Sequence, residues 1–232
     1  MTRHELKEQI QHDAFTDTVA RVVQYSAVNR QRIIQWSIAG GVAIVVILCA
    51  VWYASHRRSV RQQDLATAFD VLSAPVGQPN QFGKTFATQE AKTQASIKAL
   101  SDVVAKDGGT REGLMAQYYL GALKADKDPK RAESDLRTVA DSGSEIAALA
   151  KIALAQLYVG ENRMSDAQAL IRNIIDKPTA LVSKAQAEVL LAQVQQSSNP
   201  QAAKKLLQSL KKPEETPAVS RAVDQLSAEL NK

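Results

Sequence analysis

From Ile33 to Ser55 the chain carries no charged side chain, and the run reads IIQWSIAGGVAIVVILCAVWYAS. At about 1.5 Å of helical rise per residue such a segment is about 34 Å long, enough to cross a hydrocarbon core of roughly 30 Å. Its edges carry interfacial anchors: Trp36 near one end, Trp52 and Tyr53 near the other, with Arg57 and Arg58 just beyond. Amphipathic rings and arginines settle at headgroup depth. The run therefore predicts a transmembrane helix over 33–55 that contacts membrane lipid. A core helix of a soluble domain seldom needs so long an uncharged stretch bracketed in this way.

A cleaved signal is a poorer fit, because its apolar region spans roughly 7 to 15 residues and ends in small side chains. Trp52 and Tyr53 occupy that place here. Lipid attachment at Cys49, the only cysteine, would call for a small residue before it, and Leu48 stands there instead. With no later cysteine, the chain builds no disulfide framework. The flanking charges tie, Arg21, Arg30 and Arg32 on one side against Arg57, Arg58 and Arg61 on the other. A short tail, one span and a long following region form the layout of an uncleaved signal anchor, and long domains translocate largely regardless of charge. The expected orientation is an N-terminus in the cytoplasm and a C-terminal domain in the periplasm, across a bacterial inner membrane.

The net charge of +5 does not point to nucleic acid. Residues 56–232 mix 24 basic with 20 acidic side chains, and the densest basic cluster, His56 to Arg61, flanks the span. Few aromatics interleave with the later lysines, so no platform for stacking bases is present.

The remainder divides by apolar rhythm. Residues 1–32 form a cytoplasmic tail in which Phe15, Val19, Val22 and Val23 share one face of an amphipathic helix that Asp13 can cap. Residues 56–109 form a linker helix, with Leu65, Phe69 and Leu72 at helical spacing, and a divergent first helix pair. Between them lies the Pro- and Gly-rich loop 74–88. Gly108 and Gly109 end the second of these helices.

From residue 110 to 213 the chain repeats itself. Leu120, Gly121, Pro129, Ala132, Leu136 and Val139 reappear 71 residues later as Leu191, Ala192, Pro200, Ala203, Leu207 and Leu210. Between these copies stands another, with Leu154, Ala155, Tyr158, Ala167, Ile171 and Ile174, closed by Pro178. Successive copies lie 34 and 37 residues apart, the period of helix-turn-helix solenoids of the tetratricopeptide repeat (TPR) kind. About three such repeats are expected, followed over 214–232 by a capping helix with Thr216 as N-cap, Pro217 at its first position and a stripe of Val219, Val223, Leu226 and Leu230. The predicted fold class is all-α: one N-terminal transmembrane helix, then a TPR-like α-solenoid of helix pairs.

Catalysis finds no support. His4, His12 and His56 all lie at or before the membrane exit, and none shares a helix face with a carboxylate and another ligand in metal-binding order. Gly108 and Gly109 lack the spacing of a phosphate loop, and Ser101 and Ser142 lack a nucleophile elbow. The expectation is a non-enzyme without cofactor or metal. On the repeat register the first helix of each pair turns Met115 and Tyr118, then Leu149, Ile152 and Gln156, then Gln186, Val189 and Gln193 toward the inner curve. That surface is apolar with interspersed amides and suits a hydrophobic or extended polypeptide.

The order of parts resembles the YfgM-type ancillary subunits of the bacterial Sec translocon. The segments that carry the resemblance are FTDTVARVVQY, WYASH at the end of the span, DLATAFDVL, IAALAKIALAQLYVGENRMSDAQALI and PAVSRAVDQL. The resemblance implies a protein anchored beside the translocon whose periplasmic domain contacts chaperones or newly exported polypeptides. The alternative is a non-catalytic scaffold for assembly of an envelope complex, without client binding.

Overall fold

The computed structural model describes residues 30–77, 85–211 and 216–230. Phe15, Val19, Val22 and Val23 of the helix expected in the 1–32 tail, with its Asp13 cap, lie outside these residues, as do His4, His12 and the centre of the 74–88 loop. The chain divides into two units, Met1–Ser59 and Val60–Lys232. Among the described residues there are nine helices and no strand beyond one isolated bridge, Val76 to Phe86.

Helix α1 runs from Arg30 to Ser73 without interruption. The sequence pattern predicts a span at 33–55 and a separate linker helix within 56–109; the backbone makes them one element. The reason is local: no proline occurs before Pro75, and nothing between the two apolar patterns offers the backbone an alternative to helix. Within the first unit, its apolar side chains from Ile34 onward are exposed. Among the described residues α1 is the one helix long and apolar enough to cross a membrane.

In the second unit, the end of α1 is followed by α2 (Gln89–Asp107), α3 (Arg111–Lys124), α4 (Pro129–Ala140), α5 (Ala147–Gly160), α6 (Met164–Asp176), α7 (Lys184–Ser198), α8 (Pro200–Ser209) and α9 (Pro217–Glu229). From α2 to α8 each helix packs against the next, and α9 folds back on α7 and α8. Such nearest-neighbour packing lets each helix pair share its apolar face with the following one, so the core grows along the stack. Ala68 of α1, Leu100 and Val103 of α2, and Ala116 and Leu120 of α3 close its first layer. Val189, Ala192, Ala203, Leu207, Val219 and Val223 close its last.

Apart from the helix-starting prolines, Pro129 half-buried and Pro200 exposed, every repeat position read from the 71-residue shift is buried, as are its middle-copy counterparts from Leu154 to Ile174. Gly121 shows why a small residue recurs there: a Cβ on it would sit 2.7 Å from Leu136 Cγ, so the missing side chain is what lets α4 approach α3. Side-chain caps mark the starts of α2, α3, α4, α7 and α8. Asp128 and Asn199, also 71 residues apart, take nearly the same backbone conformation, φ −143°, ψ 74° and φ −153°, ψ 76°. Each accepts a hydrogen bond from the backbone N–H three residues on, at 3.2 and 3.1 Å, with proline next in sequence. Ser183 and Gln186 form a reciprocal capping box on α7. Thr216 occupies the N-cap position of α9, but its side chain caps nothing. At the end of α2 the left-handed turn falls on Gly109, φ 82°, while Gly108 keeps a negative φ.

Candidate functional site

Helix α5 presents two different faces. Leu149, Ile152 and Gln156 point one way, and Lys151, Leu154 and Tyr158 fall on the roughly opposite side at 3.6 residues per turn. The first set borders two apolar recesses and the second a polar one.

The larger apolar recess, about 430 Å³, lies between α5, α7 and α9. Leu149 and Ile152 form one wall, Gln186, Val189 and Leu190 the floor, and Ala218, Val219 and Ala222 of α9 the far wall, with Leu181 and Val182 of the α6–α7 loop at the rim. A neighbouring recess of about 150 Å³ shares Ile152 and Leu190 and adds Gln156, Val159, Gln193 and Val194. No charged side chain lines either one. In a chain of which 23% of residues are charged, that is a selective exclusion.

Six of the residues expected on the inner curve, Leu149, Ile152, Gln156, Gln186, Val189 and Gln193, are brought together here. Met115 and Tyr118 are not: they line neither recess and pack, half-buried, against Leu114, Val139, Ile146 and Ala150. Burial pushes the Tyr118 hydroxyl above its ordinary value, and the adjacent Tyr119 adds to this. Gln186 is partly committed, since its Oε1 accepts the Ser183 backbone N–H at 2.8 Å. Gln156 and Gln193 are exposed and make no side-chain hydrogen bond among the described residues.

The repeat pattern did not reveal the loop and α9 walls. Leu181 stands outside the repeated positions, and Ala218 and Ala222 flank a stripe read only as a cap. A large apolar residue left 46% exposed, as Leu181 is, is the signal that marks the rim, and it requires coordinates.

The polar recess, about 470 Å³ between α4, α5 and α6, is bordered by charged groups that pair with one another. Glu133 Oε1 accepts from the Tyr158 hydroxyl at 2.8 Å and from Arg137 at 2.7 Å, and its Oε2 accepts from Arg163 at 3.0 Å. Arg137 also donates to the Tyr158 oxygen at 2.6 Å, and Arg163 reaches Asp166 at 2.9 Å and Glu161 at 3.1 Å. The Tyr158 hydrogen bond, with those of Arg163, holds the Glu133 carboxyl below its ordinary value. These mutually bonded groups brace three helices.

At the first unit's end, Trp52, Tyr53, Arg57 and Arg58 are exposed, as is Trp36 further back. His56 stacks on Trp52 with ring centroids 5.6 Å apart. No group of three potential metal ligands occurs among the described residues. Compared with family models, with curated proteins and with solved structures, the chain gives no match.

Proposed function

We propose that this chain is a membrane-anchored, TPR-like protein-interaction module, an ancillary subunit of the YfgM type at the Sec translocon. In this reading α1 crosses a bacterial inner membrane once, with the tail in the cytoplasm. The domain from residue 60 onward works in the periplasm, where it contacts chaperones or newly exported polypeptides. The observation that carries the reading is a charge-free pair of recesses, the larger between α5, α7 and α9 and the smaller between α5, α6 and α7, with the free amides of Gln156 and Gln193 at the smaller one. Apolar side chains of a partner would lose water there, while the amides can pair with its main chain.

The deciding experiment adds the detergent-solubilised full chain to an unfolded, aggregating substrate. Slower aggregation, weakened by Leu181→Asp together with Gln193→Glu, supports client binding. If aggregation is unaffected while one stable partner co-purifies from membranes, the scaffold function replaces it. A phosphatase fused to the C-terminus tests the topology separately: an inactive fusion in intact cells defeats the periplasmic placement.

A further inference from the structure

We propose that Trp52, Tyr53, His56, Arg57 and Arg58 form a collar that binds the phosphate of anionic phospholipid headgroups, an inference that rests on α1 being a membrane anchor. The basic cluster beyond the apolar run does not act as one patch. Arg61 is committed to the protein, with Nε 3.5 Å from the Glu112 carboxylate, whose side chain is only 8% exposed. Arg57 and Arg58 are exposed, and among the described residues neither enters an ion pair. Nor does their own helix supply a partner, because the sequence contains no Asp or Glu from Thr18 to Gln63.

Two uncompensated guanidinium groups thus lie one turn beyond a prepared aromatic surface. The Trp52 and His56 rings are stacked within 8° of parallel, and Trp52 is 69% exposed. Indole and phenol rings rest at headgroup depth, and a guanidinium offers a planar fork that matches two phosphate oxygens. The apolar face of α1 immediately before the rings favours a lipid over soluble phosphate, since the acyl chains have surface to lie against. Uncompensated positive charge distinguishes an anionic headgroup from a zwitterionic one, by roughly fivefold for each arginine near the surface.

The full chain, released from mixed vesicles of phosphatidylcholine and phosphatidylglycerol, is examined for the lipid it retains by native mass spectrometry. Phosphatidylglycerol is expected to be enriched on the order of tenfold or more, with most of that enrichment lost in R57Q/R58Q. It should stay unchanged in K204Q/K205Q, which removes the same charge elsewhere. Absence of enrichment in the parent chain, its survival in R57Q/R58Q, or its loss to millimolar inorganic phosphate would each overturn the collar. If alkaline carbonate strips the chain from the vesicles, the anchor fails and the collar with it; a chain that stays inserted without preference for phosphatidylglycerol fails the collar alone.

Discussion

The Arg163 guanidinium lies 3.8 Å from the centroid of the Tyr158 ring and so covers one face of a phenol whose hydroxyl hydrogen-bonds Glu133. One arginine, standing at the start of α6, thereby ties the ring of α5 to the carboxylate of α4. Tyr158→Phe keeps the ring and the cation but removes the hydroxyl shared by Glu133 and Arg137. It should lower unfolding stability by about 1 kcal/mol, read from the urea midpoint at constant slope.

The same carboxylate gives a pH dependence of known sign. Because the folded chain holds Glu133 below its ordinary 4.5, its contribution is complete above that value and is lost as pH falls through the lower, folded value. The stability difference between the parent chain and Glu133→Gln should therefore be largest at neutral pH and shrink in acid below about 4.5. A difference that stays constant on acidification would show that the ionised carboxylate is not what the network uses.

Two glycines on helices should respond oppositely to alanine. At Gly121 the new Cβ would meet Leu136 and the Ala132 carbonyl, so Gly121→Ala should cost on the order of 1–3 kcal/mol, outweighing the gain in helix propensity. At Gly160 nothing stands within 4 Å, and Gly160→Ala should be neutral or stabilising by up to about 1 kcal/mol. Thermal unfolding of the two variants side by side separates close approach from backbone entropy.

Capping residues offer a further contrast. Asn199→Ala removes an acceptor from the Ala202 N–H and should cost about 1 kcal/mol, whereas Thr216→Ala removes no hydrogen bond and should leave the urea midpoint in place. An equal loss in both would mean that residue type, rather than the bond made, governs these helix starts.

At the rim of the larger recess, Leu181→Asp should leave the unfolding transition within about 0.5 kcal/mol, because the side chain is nearly half exposed. Binding of an apolar polypeptide should fall by about tenfold or more if that side chain is desolvated in the complex. Fluorescence titration with a labelled apolar peptide reads the second effect, and the urea midpoint reads the first.

The sequence by itself determined the helices, the long uncharged run and the repeated core. These depend on local rules: helical periodicity at Leu120, Leu154 and Leu191, small residues at Gly121, Ala155 and Ala192, and proline after a capping side chain at Pro129 and Pro200. The joining of span and linker into α1 was hidden because continuity is the absence of a stop, and the differing composition on either side of His56 looks like a boundary. Which inner-curve residues share a recess was decided only by tertiary structure. Met115 and Tyr118 obey the same periodicity as Leu149 and Ile152, yet their neighbours Val139 and Ile146 pack against them. The far wall comes from α9, folded back on α7, and the rim from Leu181. A periodic pattern states which side of a helix is apolar; what that side meets depends on elements distant in sequence, and only their packing supplies it.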